Sequence, residues 1–148
     1  MAFSRSDTPV SGIRIGNLAS AISAADVLKT VLIVDDEVRI RRVARRVLLR
    51  AGYQTLEAES GKTGLEVFEA NADKLLAVIL DVDLTDMNGL DLARVMREAH
   101  PGVKLIISTG ELSLEVPEGV YFLRKPYRSS ELIEMLANKP QLAPPVAC

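Results

Sequence analysis

Two short apolar runs in the chain end abruptly on carboxylates. Residues 31–34 (VLIV) are followed by Asp35 and Asp36, and residues 76–80 (LAVIL) are followed by Asp81. Short apolar runs that are closed by charge are typical of strands buried on both faces of a parallel sheet. Because ligands of such sheets gather at the carboxyl ends of the strands, these acids are candidates for a site.

Strand and helix patterns alternate along the rest of the central region. The predicted strands cover residues 30–34, 53–58, 76–80, 103–107 and 120–124. The predicted helices cover residues 37–51, 60–70, 89–100 and 129–137, with Ser60 and either Ser129 or Ser130 as N-caps. This alternation predicts an α/β fold in which crossover helices cover both faces of a parallel sheet. Five strands favour the flavodoxin-like order 2-1-3-4-5, which places the first and third strands side by side.

The connection between the fourth and fifth strands departs from this regular alternation. Residues 110–119 contain Pro117 and show no helical stripe of apolar residues. We therefore expect the fourth helix of the fold to be short, irregular or absent.

Composition limits the classes of function. The 148 residues are 48% hydrophobic and 26% charged, as expected for one globular domain with flanking segments. A net charge of -2 argues against sequence-independent binding of nucleic acid, and no apolar stretch is long enough to span a bilayer. Cys148 is the only cysteine, so no internal disulfide is possible and a cytoplasmic location is expected.

The domain boundaries follow from the same composition. Residues 29–138 are expected to form the folded domain. Residues 1–28 are expected to be a flexible leader, in which 20–28 could form a short helix, and residues 139–148 a Pro-rich tail.

Two further strand ends complete a candidate site. Thr109 follows the fourth strand, and Lys125 follows the fifth. Three acids close together repel one another unless a cation lies between them, and a hard divalent cation such as Mg²⁺ suits carboxylate ligands. With a hydroxyl and an ammonium group, this set fits phosphoryl transfer to a carboxylate: Asp81 would be the nucleophile, and Thr109 and Lys125 would hold phosphoryl oxygens.

Four motifs in this order resemble the receiver domain of bacterial two-component response regulators. They are VLIVDDE at 31–37, ILDVDLTDMNG at 79–89, STG at 108–110 and FLRKPY at 122–127. The resemblance covers most of residues 29–138. It implies that Asp81 accepts a phosphoryl group from a histidine kinase or a phosphotransfer protein.

The resemblance also implies a role for each neighbouring residue. It implies direct Mg²⁺ binding by Asp36, binding through water by Asp35, a backbone carbonyl ligand from Asp83, a phosphorylation switch at Thr109 and Phe122, and a cis Lys125–Pro126 bond.

Three features depart from the family pattern. Thr85 stands where the family usually has proline, so the rigidity of that loop is open. Asp83 and Glu111 occupy positions where the family tunes the rate of dephosphorylation. The weak fourth helix removes part of a surface that many members use for output or dimerisation.

The expected function is therefore that of a single-domain response regulator and not of an enzyme acting on other substrates. It would signal by binding a downstream protein or by a phosphorelay, as a monomer or weak dimer, without nucleic acid or membrane. The alternative is a haloacid dehalogenase-like phosphatase, because residues 81–85 (DVDLT) also resemble its motif, with Asp83 as general acid. That family needs an acidic metal pair after its lysine, and here only Glu131 and Glu134 follow Lys125.

Two other features keep simpler interpretations. The first helix carries several arginines, which form either a solvated face with an ion pair to Glu37 or a face that meets the phosphodonor. These arginines are Arg41, Arg42, Arg45, Arg46 and Arg50. His100, before Pro101, is expected to end a helix and not to act as a phosphodonor.

Overall fold

The computed structural model describes residues 29–137. The sequence-based predictions for residues 1–28, including a helix at 20–28, and for residues 139–148 lie outside the described residues. No helix within the described region is long and apolar enough to cross a membrane.

The predicted parallel sheet is confirmed. Its strands are β1 (Thr30–Val34), β2 (Gln54–Ala58), β3 (Leu75–Asp81), β4 (Lys104–Thr109) and β5 (Tyr121–Arg124). All four pairings are parallel, and the spatial order is β2-β1-β3-β4-β5, as the alternation of elements predicts. β1 and β3 are therefore neighbours, and their carboxyl ends meet at one edge of the sheet.

Helices cover both faces of the sheet. They are α1 (Val38–Arg50), α2 (Gly61–Asn71), α3 (Gly89–Ala99) and α4 (Ser129–Ala137), and a 3₁₀ turn at Ala72–Lys74 leads into β3. Residues 110–120 between β4 and β5 contain no helix, which confirms the expectation for this connection. The chain there passes through turns and bends, with Gly119 at a φ of +83°.

The core has two apolar layers, one on each side of the sheet. Phe68 and Met96 belong to the layer between the sheet and α2 and α3, whereas Leu48 and Leu132 belong to the layer under α1 and α4. His100 ends α3 as predicted, with its ring edge-on against Phe68 at a centroid distance of 5.5 Å.

The loop between β3 and α3 is fastened to the start of α2. Ser60 caps α2 by accepting a hydrogen bond from the Thr63 amide, which the sequence predicts. Asp86 adds a second cap from a distant part of the chain, because its carboxylate accepts from the amides of Gly61 at 2.8 Å and Lys62 at 2.9 Å. A loop that carries Thr85 in place of proline is thus held by a hydrogen-bonded carboxylate.

Gly89 lets the start of α3 approach the end of β3. Its amide donates to the carbonyl of Val82 at 2.8 Å. A methyl group on Gly89 would collide with the backbone carbonyl oxygen of Asp81, which leaves room only for glycine. The fold therefore sets the position of the Asp81 backbone by direct backbone contact.

Substitution of Gly89 by alanine is expected to destabilise the protein by about 1–3 kcal/mol, because the backbone of Asp81 would have to move. The free energy of unfolding from urea titration measures this loss. Gly102→Ala is the matched control, since no atom lies within 4 Å of the added methyl group. Equal stability of the two variants would contradict the close approach described here.

Asp86→Asn is expected to destabilise the protein at neutral pH and to have little effect in acid. Hydrogen bonds from the Gly61 and Lys62 amides lower the pKa of Asp86 below its ordinary 3.8 in the folded state. Because the folded state favours the ionised Asp86 carboxylate, this group stabilises the protein when the pH is above the pKa of the unfolded state. The contribution is lost as the pH falls through the lower pKa of the folded state.

Urea titrations of wild type and Asp86→Asn at pH 7 and near pH 3 test this dependence. The difference in the free energy of unfolding should be smaller at the lower pH. Asp73→Asn is the control, because Asp73 is an exposed acid in the turn before β3. A constant difference at both pH values would show that the Asp86 charge does not cap α2.

Candidate functional site

Three carboxylates converge at the carboxyl edge of the sheet. Asp35 and Asp36 follow β1 and Asp81 ends β3, and one carboxylate oxygen from each lies within 4.8 Å of the others. Asp35 and Asp81 are only 4% and 8% exposed, and Asp36 is half-buried. The structure therefore brings together the acids that the sequence proposes as one site.

Lys125 brings a positive charge to this cluster from the end of β5. Its Nζ lies 3.3 Å from Oδ1 of Asp81 and 3.6 Å from Oδ2 of Asp35. Burial by itself would lower the pKa of Lys125, but the carboxylates of Asp81 and Asp35 outweigh it and raise the pKa above its ordinary value. The ammonium group therefore stays charged and partly offsets the repulsion between the acids.

Asp35 is held by the backbone around it. Its amide donates to the Ala58 carbonyl at 3.1 Å, and its Oδ1 accepts from the Glu37 amide at 2.9 Å. Burial raises the pKa of Asp35, and the nearby charge of Asp81 raises it further. A buried acid with a raised pKa is one that a cation would stabilise in its charged form.

Thr109 lies at the end of β4 and is 1% exposed. Its hydroxyl oxygen accepts a hydrogen bond from the Glu111 amide at 3.1 Å, which leaves the hydroxyl hydrogen available to another acceptor. Its carbonyl accepts from the Lys125 amide at 2.8 Å, so Thr109 and Lys125 are joined through the backbone.

The remaining predicted residues lie around this centre. Asp83 is exposed and its backbone forms an isolated bridge with Asn88. Phe122 is half-buried on β5 and belongs to neither apolar layer of the core. The Lys125–Pro126 bond is cis, as the family resemblance implies. The metal-ligand role of Asp83 and the switch role of Phe122 stay predictions.

The donor set suits a hard divalent cation. Asp35, Asp36 and Asp81 each offer a carboxylate oxygen to this cluster, and hard cations such as Mg²⁺ take oxygen ligands. Glu131 and Glu134, which a phosphatase of the alternative class would need as its metal pair, are exposed on α4 and lie outside the cluster.

Arg41 is a site residue that the sequence does not reveal. The helix pattern leaves two interpretations, a solvated arginine face with an ion pair to Glu37 or a face that meets the phosphodonor, but the Arg41 side chain is only 12% exposed. It donates to the Asp35 carbonyl at 2.6 Å and pairs with Glu57, which precedes Ala58 in β2. Glu57 is far from Arg41 along the chain, so no local spacing signals this contact.

Comparisons with known proteins agree with this geometry. The family model for the response regulator receiver domain matches residues 31–137. The chain is 34% identical over 109 residues to the sensor kinase CckA of Brucella abortus, which covers 70% of this chain and 12% of that kinase. The chain therefore spans only a small part of this curated relative.

Solved structures give a fuller match. A CheY-like response regulator receiver domain protein from Methanospirillum hungatei superimposes with a TM-score of 0.66 at 29% identity, covering 74% of this chain and 90% of that one. The response regulator protein TrrA from Thermotoga maritima, solved in complex with Mg²⁺ and BeF, gives a TM-score of 0.66 at 27% identity, with 74% and 96% coverage.

The family match covers residues 31–137, which is nearly all of the described region. It includes the five strands, apart from Thr30 at the start of β1, and also the three acids, Thr109 and Lys125. The chain belongs to the response regulator receiver domain family.

Proposed function

We propose that the chain is a phosphoacceptor signalling domain in which Asp81 takes a phosphoryl group from a phosphohistidine. One observation carries the proposal: Lys125 Nζ lies 3.3 Å from Asp81 Oδ1 within a cluster of three acids. Asp81 is the acid that ends its strand beside both the lysine and the acid pair, which is where a reacting carboxylate needs positive charge.

Mg²⁺ is the proposed cofactor. Asp36 and Asp81 would hold it directly, Asp35 through water, and the Asp83 carbonyl would add a further oxygen. When bound, the ion neutralises charge on the phosphoryl oxygens and on the reacting carboxylate. The similarity of the chain to TrrA, whose structure was solved with Mg²⁺ and BeF, supports the choice of ion.

The residues of the chain then have distinct tasks in the transfer. An oxygen of Asp81 donates an electron pair to phosphorus and forms the new P–O bond. The P–N bond of the phosphohistidine breaks, and the imidazole nitrogen keeps the electron pair and takes a proton from solvent. Lys125 and the Thr109 hydroxyl hydrogen would bind phosphoryl oxygens as this occurs.

Phosphorylation is proposed to change the connection between β4 and β5. The Thr109 hydroxyl accepts from the Glu111 amide, so a turn of Thr109 toward a phosphoryl group disturbs the first residues of this connection. The segment contains no helix and exposes Leu112 at 73%. Its rearrangement is a population shift, biased by the phosphoryl contacts and followed by Phe122, that alters binding of a downstream protein or a relay partner.

The phosphodonor is proposed to meet the groove between α1 and α4. This groove has a volume of about 390 Å³ and is largely apolar. It is lined by Ile40, Val43, Val47, Tyr127 and Leu132 and reaches Lys125 at the edge of the site. A histidine kinase or a phosphotransfer protein is the expected donor, and a cytoplasmic monomer or weak dimer is the expected state.

Asp81→Asn is expected to abolish formation of the acyl phosphate, because an amide oxygen is too weak a nucleophile to displace the phosphoryl group. Incorporation of radiolabel from acetyl phosphate in the presence of Mg²⁺ measures it. Asp83→Asn is the matched control and should still be labelled at short times, because the substitution keeps the backbone carbonyl and the side chain lies at a position where the family tunes dephosphorylation and not transfer.

Two results would contradict this assignment. Label that persists in Asp81→Asn would place the phosphoacceptor elsewhere. Hydrolysis of p-nitrophenyl phosphate by wild type that Asp83→Asn abolishes would instead support the phosphatase alternative.

Lys125→Ala is expected to increase the stabilisation that Mg²⁺ gives the protein. Without the ammonium group, Asp35 and Asp81 lose their compensating charge, so the free protein is less stable and the cation relieves a greater repulsion. The rise in Tm on adding Mg²⁺ measures this by circular dichroism.

Arg124→Ala is the matched control for this measurement, because Arg124 is the exposed neighbour in β5. Its rise in Tm with Mg²⁺ should equal that of wild type. If Lys125→Ala also showed the wild-type rise, Lys125 would not share the carboxylates with the cation.

A further inference from the structure

We propose that Arg41 is a positioning residue that orients Asp36 toward the bound cation by holding the peptide between Asp35 and Asp36. The inference rests on the proposed function, because it requires these acids to bind Mg²⁺. Arg41 touches neither substrate nor metal; it acts through the backbone of the acid pair.

The contact of Arg41 with the backbone is short and partly buried. One guanidinium nitrogen donates to the Asp35 carbonyl oxygen at 2.6 Å, across a separation of six residues. A hydrogen bond from a charged donor is stronger than one between neutral groups. The other arginines of α1 are all exposed, namely Arg39, Arg42, Arg45, Arg46 and Arg50.

A second contact fixes the direction of the guanidinium. Its Nε lies 3.3 Å from Oε1 of Glu57, on the strand that flanks β1. The planar guanidinium donates along more than one edge, so Arg41 can bind the carboxylate and the Asp35 carbonyl together. Arg41 therefore ties α1 to the β1–α1 turn and to β2.

Asp36 depends on this tie more than Asp35 does. Asp35 has its own restraints through the amide of Glu37 and the carbonyl of Ala58. Within residues 29–137, no hydrogen bond or ion pair holds the carboxylate of Asp36. The plane of the Asp35–Asp36 peptide, which Arg41 holds by its carbonyl, therefore sets the direction in which Asp36 points.

Removal of Arg41 changes the affinity for the cation in opposite directions under the two possible roles, positioning and simple electrostatics. If Arg41 acted only as a nearby positive charge, its loss would strengthen cation binding to the acids. If it positions Asp36, its loss weakens binding, because a ligand that is no longer oriented must be ordered by the ion itself.

The test is the Mg²⁺ dissociation constant of the full chain, measured by isothermal titration calorimetry. Arg41→Met keeps the aliphatic stem and removes both contacts, and we expect about tenfold weaker binding. Arg41→Lys retains a single donor and should lie between Arg41→Met and wild type. The lysine variant also serves if the methionine variant does not fold.

Arg45→Met is the matched control. Arg45 lies on the same helix and its Nε is 3.7 Å from Oε2 of Glu57, but its side chain is 54% exposed and no hydrogen bond or ion pair joins these two described residues, Arg45 and Asp35. Its Mg²⁺ affinity should stay within about twofold of wild type, as expected for loss of an exposed ion pair. In metal-free amide NMR spectra, the signals of Asp36 and Glu37 should move in Arg41→Met and stay in place in Arg45→Met.

The outcomes distinguish this inference from the proposed function. Mg²⁺ binding by Arg41→Met that is as tight as wild type, or tighter, overturns the positioning role while wild type still binds Mg²⁺ and accepts label on Asp81. Failure of wild type itself to bind Mg²⁺ overturns the proposed metal site and this inference with it.

Discussion

The structure depends on a repulsion: three carboxylates share one edge of the sheet, and two of them are almost fully buried. Like charges this close in a poorly solvated place oppose folding unless positive charge and hydrogen-bond donors are supplied. The fold supplies Lys125, which directly follows the edge strand β5. The Nζ of Lys125 lies within 3.6 Å of carboxylate oxygens of both Asp35 and Asp81. A sheet order that places β1 beside β3 creates the problem, and the same sheet carries the lysine that offsets it.

Hydrogen bonds also hold the backbone around the acids in place. Arg41 binds the carbonyl of Asp35, and the amide of Gly89 closes onto the end of β3 beside Asp81. Asp86 fastens the next loop to the start of α2 with two hydrogen bonds. These contacts come from three separate helices and loops. The shape of the site is therefore held by its surroundings and not by contacts between the three acids. In the proposed transfer, Lys125 would exchange contacts with the acids for contacts with the phosphoryl group while the backbone around the site stays in place.

The sequence predicts the sheet and the centre of the site because both follow from local rules. Short apolar runs predict buried strands, and carboxyl ends of parallel strands converge, so Asp35, Asp36 and Asp81 could be placed together. Ser60 is likewise a local cap of its own helix. Asp86 caps α2 from 25 residues away, and Arg41 meets Glu57 from 16 residues away. Such contacts depend on how loops fold over one another, and no spacing rule encodes them.

The sequence also predicts that the connection between β4 and β5 has a weak helix or none. It does not predict how this connection is joined to Thr109 and Lys125. A helix there would present a preformed face to a partner. The segment instead begins at a hydrogen bond between the Glu111 amide and the Thr109 hydroxyl, the group that is proposed to turn toward a phosphoryl oxygen. The Thr109 carbonyl also accepts from the Lys125 amide, so the two groups that would bind the phosphoryl oxygens share one backbone link. A change at Asp81 therefore has a short route into this segment, and an irregular segment can respond without the cost of melting a helix.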